Sequence, residues 1–417
     1  MAQFRDVLKN RNFFLLWIGQ IISQLGDRLG QMALIAFVYL RAPGSTLQIA
    51  KILSFTIIPV FLIGPLAGVY VDRWDRRRTM YVCDFMRSML MLAIPLFLFY
   101  SKNLAPIYLI IFIAFSIGRF FVPAKLSIIP DLVDHKSLLV ANTLINTSGM
   151  IAAVLGFGIS GVIVERLGAK SGFYLNAVTF LISGTFIFFI SRRFVAQMSL
   201  ERVGKEIVEV IRKSVFAEIK EGVLYFIRKK DIRFTAGLIF ALWSALGSVY
   251  VVIIVFVQNT LHSATKDLGL LVMFLGVGLF LGSIIYGKFG QRISHYKIIF
   301  VSLISSGIML ILFALGIHYF PYFFLAAFLA LCLGLIISPI MIASNTIIHN
   351  VSDNEMLGKI FSSLEIVMHL GFILFMFISS VLADKFSHLL ILIVVGFLLS
   401  LLGLISLFLN RKVTWLG

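Results

Sequence analysis

The chain has 417 residues, of which 60% are hydrophobic and 13% charged, with a mean hydropathy of +1.03; a soluble globular domain, roughly half apolar and a quarter charged, is excluded. The apolar runs are as long as the roughly 20 residues a membrane helix needs and lack the period-two alternation of a membrane β-barrel, so the expected fold class is an all-α integral membrane protein. The formal net charge of +17 falls in alternate loops, which makes it a topology signal and excludes nucleic acid as its partner.

In chain order, the first apolar segment covers about Phe13 to Leu40. It begins as a secretory leader would, but it is too long, carries Asp27 and Arg28, and has no small-residue cleavage site, so it is expected to stay as the first helix. The Pro43-Gly44-Ser45 turn leads to a second segment, Leu47 to Val71. Then comes the charged stretch Gly68–Met80, GVYVDRWDRRRTM, too short to recross lipid and therefore a tight turn at the membrane surface. Further segments are expected at about Thr79–Tyr100, Pro106–Pro123, Leu138–Arg166 and Ser171–Ile190, making six in the first half. From Ser191 to Arg233 the composition turns to Lys, Arg and Glu with apolar residues at helical spacing, an amphipathic linker on the cytoplasmic face. Six more segments follow, at about Phe234–Gln258, Leu268–Gly287, Ile298–His318, Pro321–Ile342, Met356–Leu382 and Leu389–Leu409. The domain division expected is 1–190, a linker 191–233, and 234–417.

Basic residues crowd one side of this topology: Arg5, Lys9 and Arg11; Arg73, Arg76, Arg77 and Arg78; the series Arg192 to Arg233; Lys288 and Arg292; Arg411 and Lys412. The positive-inside rule then puts both termini in the cytoplasm of a multi-pass protein of the cytoplasmic (inner) membrane, with the lipid bilayer as a partner. Cys83 and Cys332 lie in apolar segments and read as packing residues.

The two halves echo each other. The turn Asp72-Arg-Trp-Asp-Arg-Arg77 corresponds to Gly287-Lys-Phe-Gly-Gln-Arg292, and each follows a small-xxx-small pair, Gly64/Gly68 and Gly278/Gly282. The stretch Val133 to Leu139 likewise matches Val351 to Leu357.

Two six-helix halves, a basic linker, and Gly68-x-x-x-Asp72-Arg73-x-x-Arg76-Arg77 between the second and third helices together resemble the major facilitator superfamily. Gly64-Pro-Leu-Ala-Gly, Pro123-Ala-Lys, Ile129-Pro-Asp-Leu-Val133 and Leu357-Gly-Lys-Ile-Phe-Ser362 are similar to its bacterial branch of macrolide-type drug exporters and siderophore exporters, and the Pro123–Asn142 stretch is also similar to lysophospholipid transporters. The resemblance implies a secondary active transporter that works as a monomer by alternating access and exports an amphipathic or hydrophobic small molecule in exchange for protons, with a lysophospholipid or siderophore carrier as the alternative. It also implies a gating latch in the Gly68–Arg77 loop: Asp72 would meet the N-terminus of a second-half helix, and Arg73, Arg76 and Arg77 would bind acidic groups or lipid. Three departures stand out. Asp75 replaces the usual Gly of the loop, Phe157 replaces the Pro of the antiporter-type fifth helix between Gly149 and Gly161, and Arg119 lies nearer the end of its helix than the usual Arg.

Beside the resemblance, intramembrane charge singles out candidate residues, since a charge at mid-membrane costs at least about 2.5 kcal/mol. Asp27 and Arg28 lie deep in the first helix, where Gln20, Gln24, Asp27 and Gln31 form one polar stripe. Successive residues point roughly 100° apart, so Asp27 and Arg28 are expected to find partners on other helices. Glu365 and His369 are i,i+4 neighbours in the eleventh segment, with Ser362 on the same face, and can each take and release a proton. The run Gly282-Ser-Ile-Ile-Tyr-Gly-Lys-Phe289 falls short of a phosphate-binding loop, ending in Phe at the end of an apolar helix. No metal-ligand spacing and no cofactor motif is seen, and an enzyme or a non-transporting receptor would need a catalytic constellation or an extramembrane domain that the sequence does not display.

Overall fold

The computed structural model describes residues 4–71, 74–100, 105–191, 230–290, 293–351 and 357–409. Within these, α1 (Phe4–Lys9), α2 (Arg11–Arg41), α3 (Thr46–Leu62), α4 (Gly64–Val71), α5 (Arg76–Tyr100), α6 (Ala105–Leu132) and α7 (Leu138–Phe188) precede the linker. After it come α8 (Lys230–Leu261), α9 (Lys266–Phe289), α10 (His295–Tyr319), α11 (Phe323–Val351), α12 (Leu357–Lys385) and α13 (His388–Leu409). Helices dominate because lipid offers no partner for backbone N–H and C=O groups, so each crossing must satisfy its own. With α3 and α4 taken as one crossing and α7 as two, the described residues make twelve.

The irregularities have local causes. The second crossing breaks at Ile63, just before Gly64 and Pro65, whose ring nitrogen has no hydrogen to give. The fifth and sixth crossings, both within α7, meet at a kink at Gly168, whose φ of +84° is open to glycine and strained for other residues. Pro123 was expected to end the fourth crossing, yet α6 continues through Pro123 and Pro130 to Leu132. Two side chains meet carbonyls near its end: Arg76 donates to the Ser127 carbonyl at 2.8 Å, and Asn10 Nδ2 donates at 2.6 Å to the Leu132 carbonyl, one of the last-turn acceptors that a helix leaves unfilled.

The described residues gather into two compact units. The first holds residues 4–37 and 52–191, and the second holds 38–51 and 230–409. In the first unit α5 packs on α6 and α7, and α4 on α6. One core joins Phe13 and Leu16 of α2 to Met80, Phe121, Ile145 and Ile187. In the second unit α9 packs on α11, α10 on α13, and α8 on α12, with Phe300, Leu303 and Ile347 among its buried core residues.

Residues 38–51 cluster with the second unit for a chemical reason. Asp384, next to last in α12, accepts the backbone N–H of Thr46 at 2.8 Å and of Leu47 at 3.2 Å, while Thr46 Oγ1 meets His388 Nε2 at 2.8 Å. These N–H groups are the orphan donors at the start of α3. A carboxylate is unfavourable at the C-terminus of its own helix and favourable at the N-terminus of another, which is why this one is used across helices. Most of the expected linker 191–233 lies outside the described residues.

Candidate functional site

The polar stripe of the first crossing begins with an ordinary helix start. Asn10 caps α2, its Oδ1 accepting the N–H groups of Asn12 at 3.0 Å and Phe13 at 3.2 Å. Farther along, Asp27 of the stripe meets α5 and Gln24 meets α7. Glycines of α7 receive Gln24 and the neighbouring Arg28: a Cβ on Gly149 would lie 2.9 Å from Gln24 Nε2, and one on Gly156 would lie 3.0 Å from Arg28 Cγ. Gln20 is buried and its Nε2 has no hydrogen-bond partner.

Asp27 and Arg28 do turn to different partners. Arg28 Nη1 donates to Gln31 Oε1 at 3.1 Å, and its guanidinium lies 4.6 Å from the centre of the Phe157 ring. The Phe at position 157 thus gives the cation a π face. Asp27 Oδ1 is 2.5 Å from Arg87 Nη2, on α5. One turn earlier on α5, Asp84 is fully buried; its Oδ2 accepts the Ser183 hydroxyl at 2.6 Å, and its Oδ1 lies 3.9 Å from Arg87 Nη1. The Arg87 guanidinium also sits over the Phe180 ring at 3.9 Å.

Asp27, Gln31, Arg87, Asn176 and Phe180 line a cavity of about 10 Å³, room for roughly one water molecule. Asn176 is buried, and its Oδ1 has no hydrogen-bond partner. A cation paired with a carboxylate and an open amide acceptor around a water-sized space, with a second carboxylate behind the cation, can hold a proton or a cationic group and can exchange hydrogen bonds in doing so.

Arg87, Asp84 and Ser183 were not anticipated from the sequence. The signal was present: Asp84 and Arg87 are charges at i,i+3 in the apolar run Tyr81–Tyr100, the same feature that marks Asp27.

The other candidate residues are placed as follows. Glu365 is exposed, and its backbone carbonyl, not its carboxylate, accepts His369 Nδ1–H at 2.7 Å. The His369 ring centre lies 5.5 Å from that of Trp243 on α8. The Ser362 side chain is outside the described set. In the charged turn, Gly68 belongs to α4, and Asp72 and Arg73 lie outside the described residues. Asp75 caps α5, its Oδ1 accepting Arg78 N–H at 2.9 Å. A carboxylate caps a helix and a glycine lacks the side chain to do so, which accounts for the departure at this position. Arg76 pairs with Asp131 of α6 at 2.8 Å. Arg77 donates to the carbonyls of Ile187, at 3.3 Å, and Phe188, closing the end of α7. Among the described residues no cluster of His, Cys, Asp and Glu could hold a metal ion.

The chain is similar over 365 residues to the uncharacterized MFS-type transporter YkuC of Bacillus subtilis (strain 168), at 26% identity, covering 85% of this chain and 81% of the relative. It is 23% identical over 387 residues to macrolide efflux protein A of Streptococcus pyogenes, covering 89% of each. A crystal structure of a bacterial homologue of the iron transporter ferroportin in the inward-facing state shares the fold, with a TM-score of 0.72 at 12% identity, over 95% of this chain and 98% of that one. The family described as transmembrane secretion effector matches residues 5–340. With twelve crossings, a paired charge cluster between its helices, and relatives that are transporters of the same type, the chain belongs to the transmembrane secretion effector family of the major facilitator superfamily.

Proposed function

We propose that the protein exports an amphipathic or hydrophobic small molecule across the cytoplasmic membrane in exchange for protons, by alternating access of two six-helix halves. The observation that carries this reading is the Asp27–Arg87 pair at 2.5 Å beside a water-sized cavity within apolar helices. Ionisable groups held inside a membrane protein mark substrate or proton paths. A family described by secretion and a relative named for macrolide efflux support the outward direction and the amphipathic class.

In this reading Asp27 takes the proton, with Gln24, Arg28 and Gln31 lining the path beside it. Glu365 and His369 form a second proton-handling pair in the other half. The Gly68–Arg77 loop is the gate: Asp72 latches a helix N-terminus of the other half, while Arg76 and Arg77 stiffen the base of α5. The bundles 1–190 and 234–417 rock about the linker 191–233, both termini are cytoplasmic, and one chain is the working unit.

The test is flux of radiolabelled erythromycin, as a probe macrolide, in proteoliposomes of the purified protein with and without an imposed pH gradient. The gradient should drive uptake at least about tenfold, and Asp27→Asn should remove that stimulation while the protein still folds. Glu365→Gln should do the same, and Asp72→Asn should slow turnover. Transport indifferent to the gradient would remove proton coupling.

A further inference from the structure

Arg87 stands between two carboxylates in unlike surroundings. Asp27, bonded to Nη2 at 2.5 Å, has a side chain 34% exposed; Asp84, 3.9 Å from Nη1, is 0% exposed; the Arg87 side chain itself is 10% exposed. Asp84 Oδ2 is satisfied by Ser183, but Oδ1 accepts no hydrogen bond. Leaving such a buried acceptor unfilled is unfavourable, and more so when it is charged. The missing donor is about an ångström too far away: Nη1 needs to approach Oδ1 to about 2.9 Å.

The surroundings leave the guanidinium free to make that approach. One face lies on the Phe180 ring, a contact that tolerates sliding and rotation. On α6 a Cβ added at Gly118 would lie 3.5 Å from Arg87 Cζ. Other charged and titratable groups lie in the same unit. Lys125 of α6 is in electrostatic range of Asp27. Arg28 is turned to Gln31 and Phe157. Cys83 neighbours Asp84 on α5, and α7 contributes the uncharged Asn176, Phe180 and Ser183.

We infer that Arg87 is a two-position element that holds Asp27 while that carboxylate is empty and moves to Asp84 Oδ1 when a positive charge, a proton or the cationic group of a substrate, occupies Asp27. Asp84 is therefore a positioning residue, acting on Asp27 through Arg87. The inference rests on the reading of Asp27 as the coupling carboxylate. Only hydrogen bonds are exchanged. The incoming proton resides on an Asp27 oxygen, and the released guanidinium pairs with Asp84. Without the second carboxylate, occupation of Asp27 would strand a buried cation, which is strongly unfavourable. With it, every state of the cycle leaves Arg87 paired.

The experiment has two arms. The first needs neither substrate nor gradient: a structure of Asp27→Asn, which copies the neutral form, should show Arg87 Nη1 bonded directly to Asp84 Oδ1, and Arg87 remaining on residue 27 would overturn the inference. Wild-type structures at pH 5 without additive and at pH 8 with tetraphenylphosphonium separate the two sources of charge; movement of Arg87 in either supports it, and movement in neither refutes it. In the second arm, Asp84→Asn in proteoliposomes should lower kcat for erythromycin at least about tenfold with KM little changed, and Asp84→Glu should restore part of the loss. A wild-type kcat in Asp84→Asn would also overturn it. If the wild-type protein ignores the pH gradient, proton coupling fails, while the first arm still decides whether Arg87 moves.

Discussion

Several glycines of the two units differ in what they meet. In the first, four seat polar side chains: Gly149 faces Gln24, Gly156 faces Arg28, Gly118 faces Arg87, and Gly30 faces Asn176. In the second, several seat backbone. A Cβ on Gly282 would lie 2.6 Å from the Leu335 carbonyl oxygen and one on Gly396 would lie 2.7 Å from that of Gly307, while Gly278 and Gly334 close α9 onto α11. The charges divide in the same way: the Arg87 pairs with Asp27 and Asp84 and the Arg76–Asp131 pair all belong to the first unit. Away from helix ends, the six helices of the second half carry one carboxylate, Glu365. Where a glycine meets a flexible side chain an added methyl group can be accommodated, whereas backbone against backbone leaves nothing that can yield.

The sharpest break would come at Arg87. Arg87→Leu leaves Asp27 and buried Asp84 unpaired, so stability should fall by about 3–5 kcal/mol, read as a lowered unfolding temperature in detergent, with transport lost. Next, Gly334→Ala in the second unit pushes a methyl group into the α9 backbone and should cost roughly 1–3 kcal/mol. A change at Gly334 as mild as one at Gly149 would dissolve the contrast between units. Asp384→Ala removes the acceptor of two N–H groups at the start of α3 and should cost about 1 kcal/mol, seen as faster hydrogen exchange at Thr46 and Leu47. The smallest effect is expected at Gly149→Ala, where the methyl meets the far end of flexible Gln24; the cost should stay below about 1 kcal/mol. Its unfolding temperature should sit close to that of the unaltered protein.

The echoes read from the sequence are not equivalent in use. Gly64 and Gly278 occupy matching positions, but a Cβ on Gly64 would meet nothing within 4 Å, whereas Gly278 lies against the α11 backbone. Similarly, Asp75 looked like a lapse from a loop pattern and is an N-cap, and Phe157 looked like a lost proline and carries a cation–π contact. Such substitutions are legible only when the partner is known, since a cap or a ring face is defined by what approaches it.

By itself the sequence determined the class, the number of crossings, the two-half plan and the exceptional nature of Asp27 and Arg28, because hydrophobic length and the cost of intramembrane charge are properties of a single segment. Tertiary structure alone decided that Asp27 pairs with Arg87, that Asp84 waits behind it with an unfilled oxygen, and that the α2–α3 turn is held by Asp384. Those are relations between helices distant in the chain. No local period or composition encodes which face of one helix meets which charge on another.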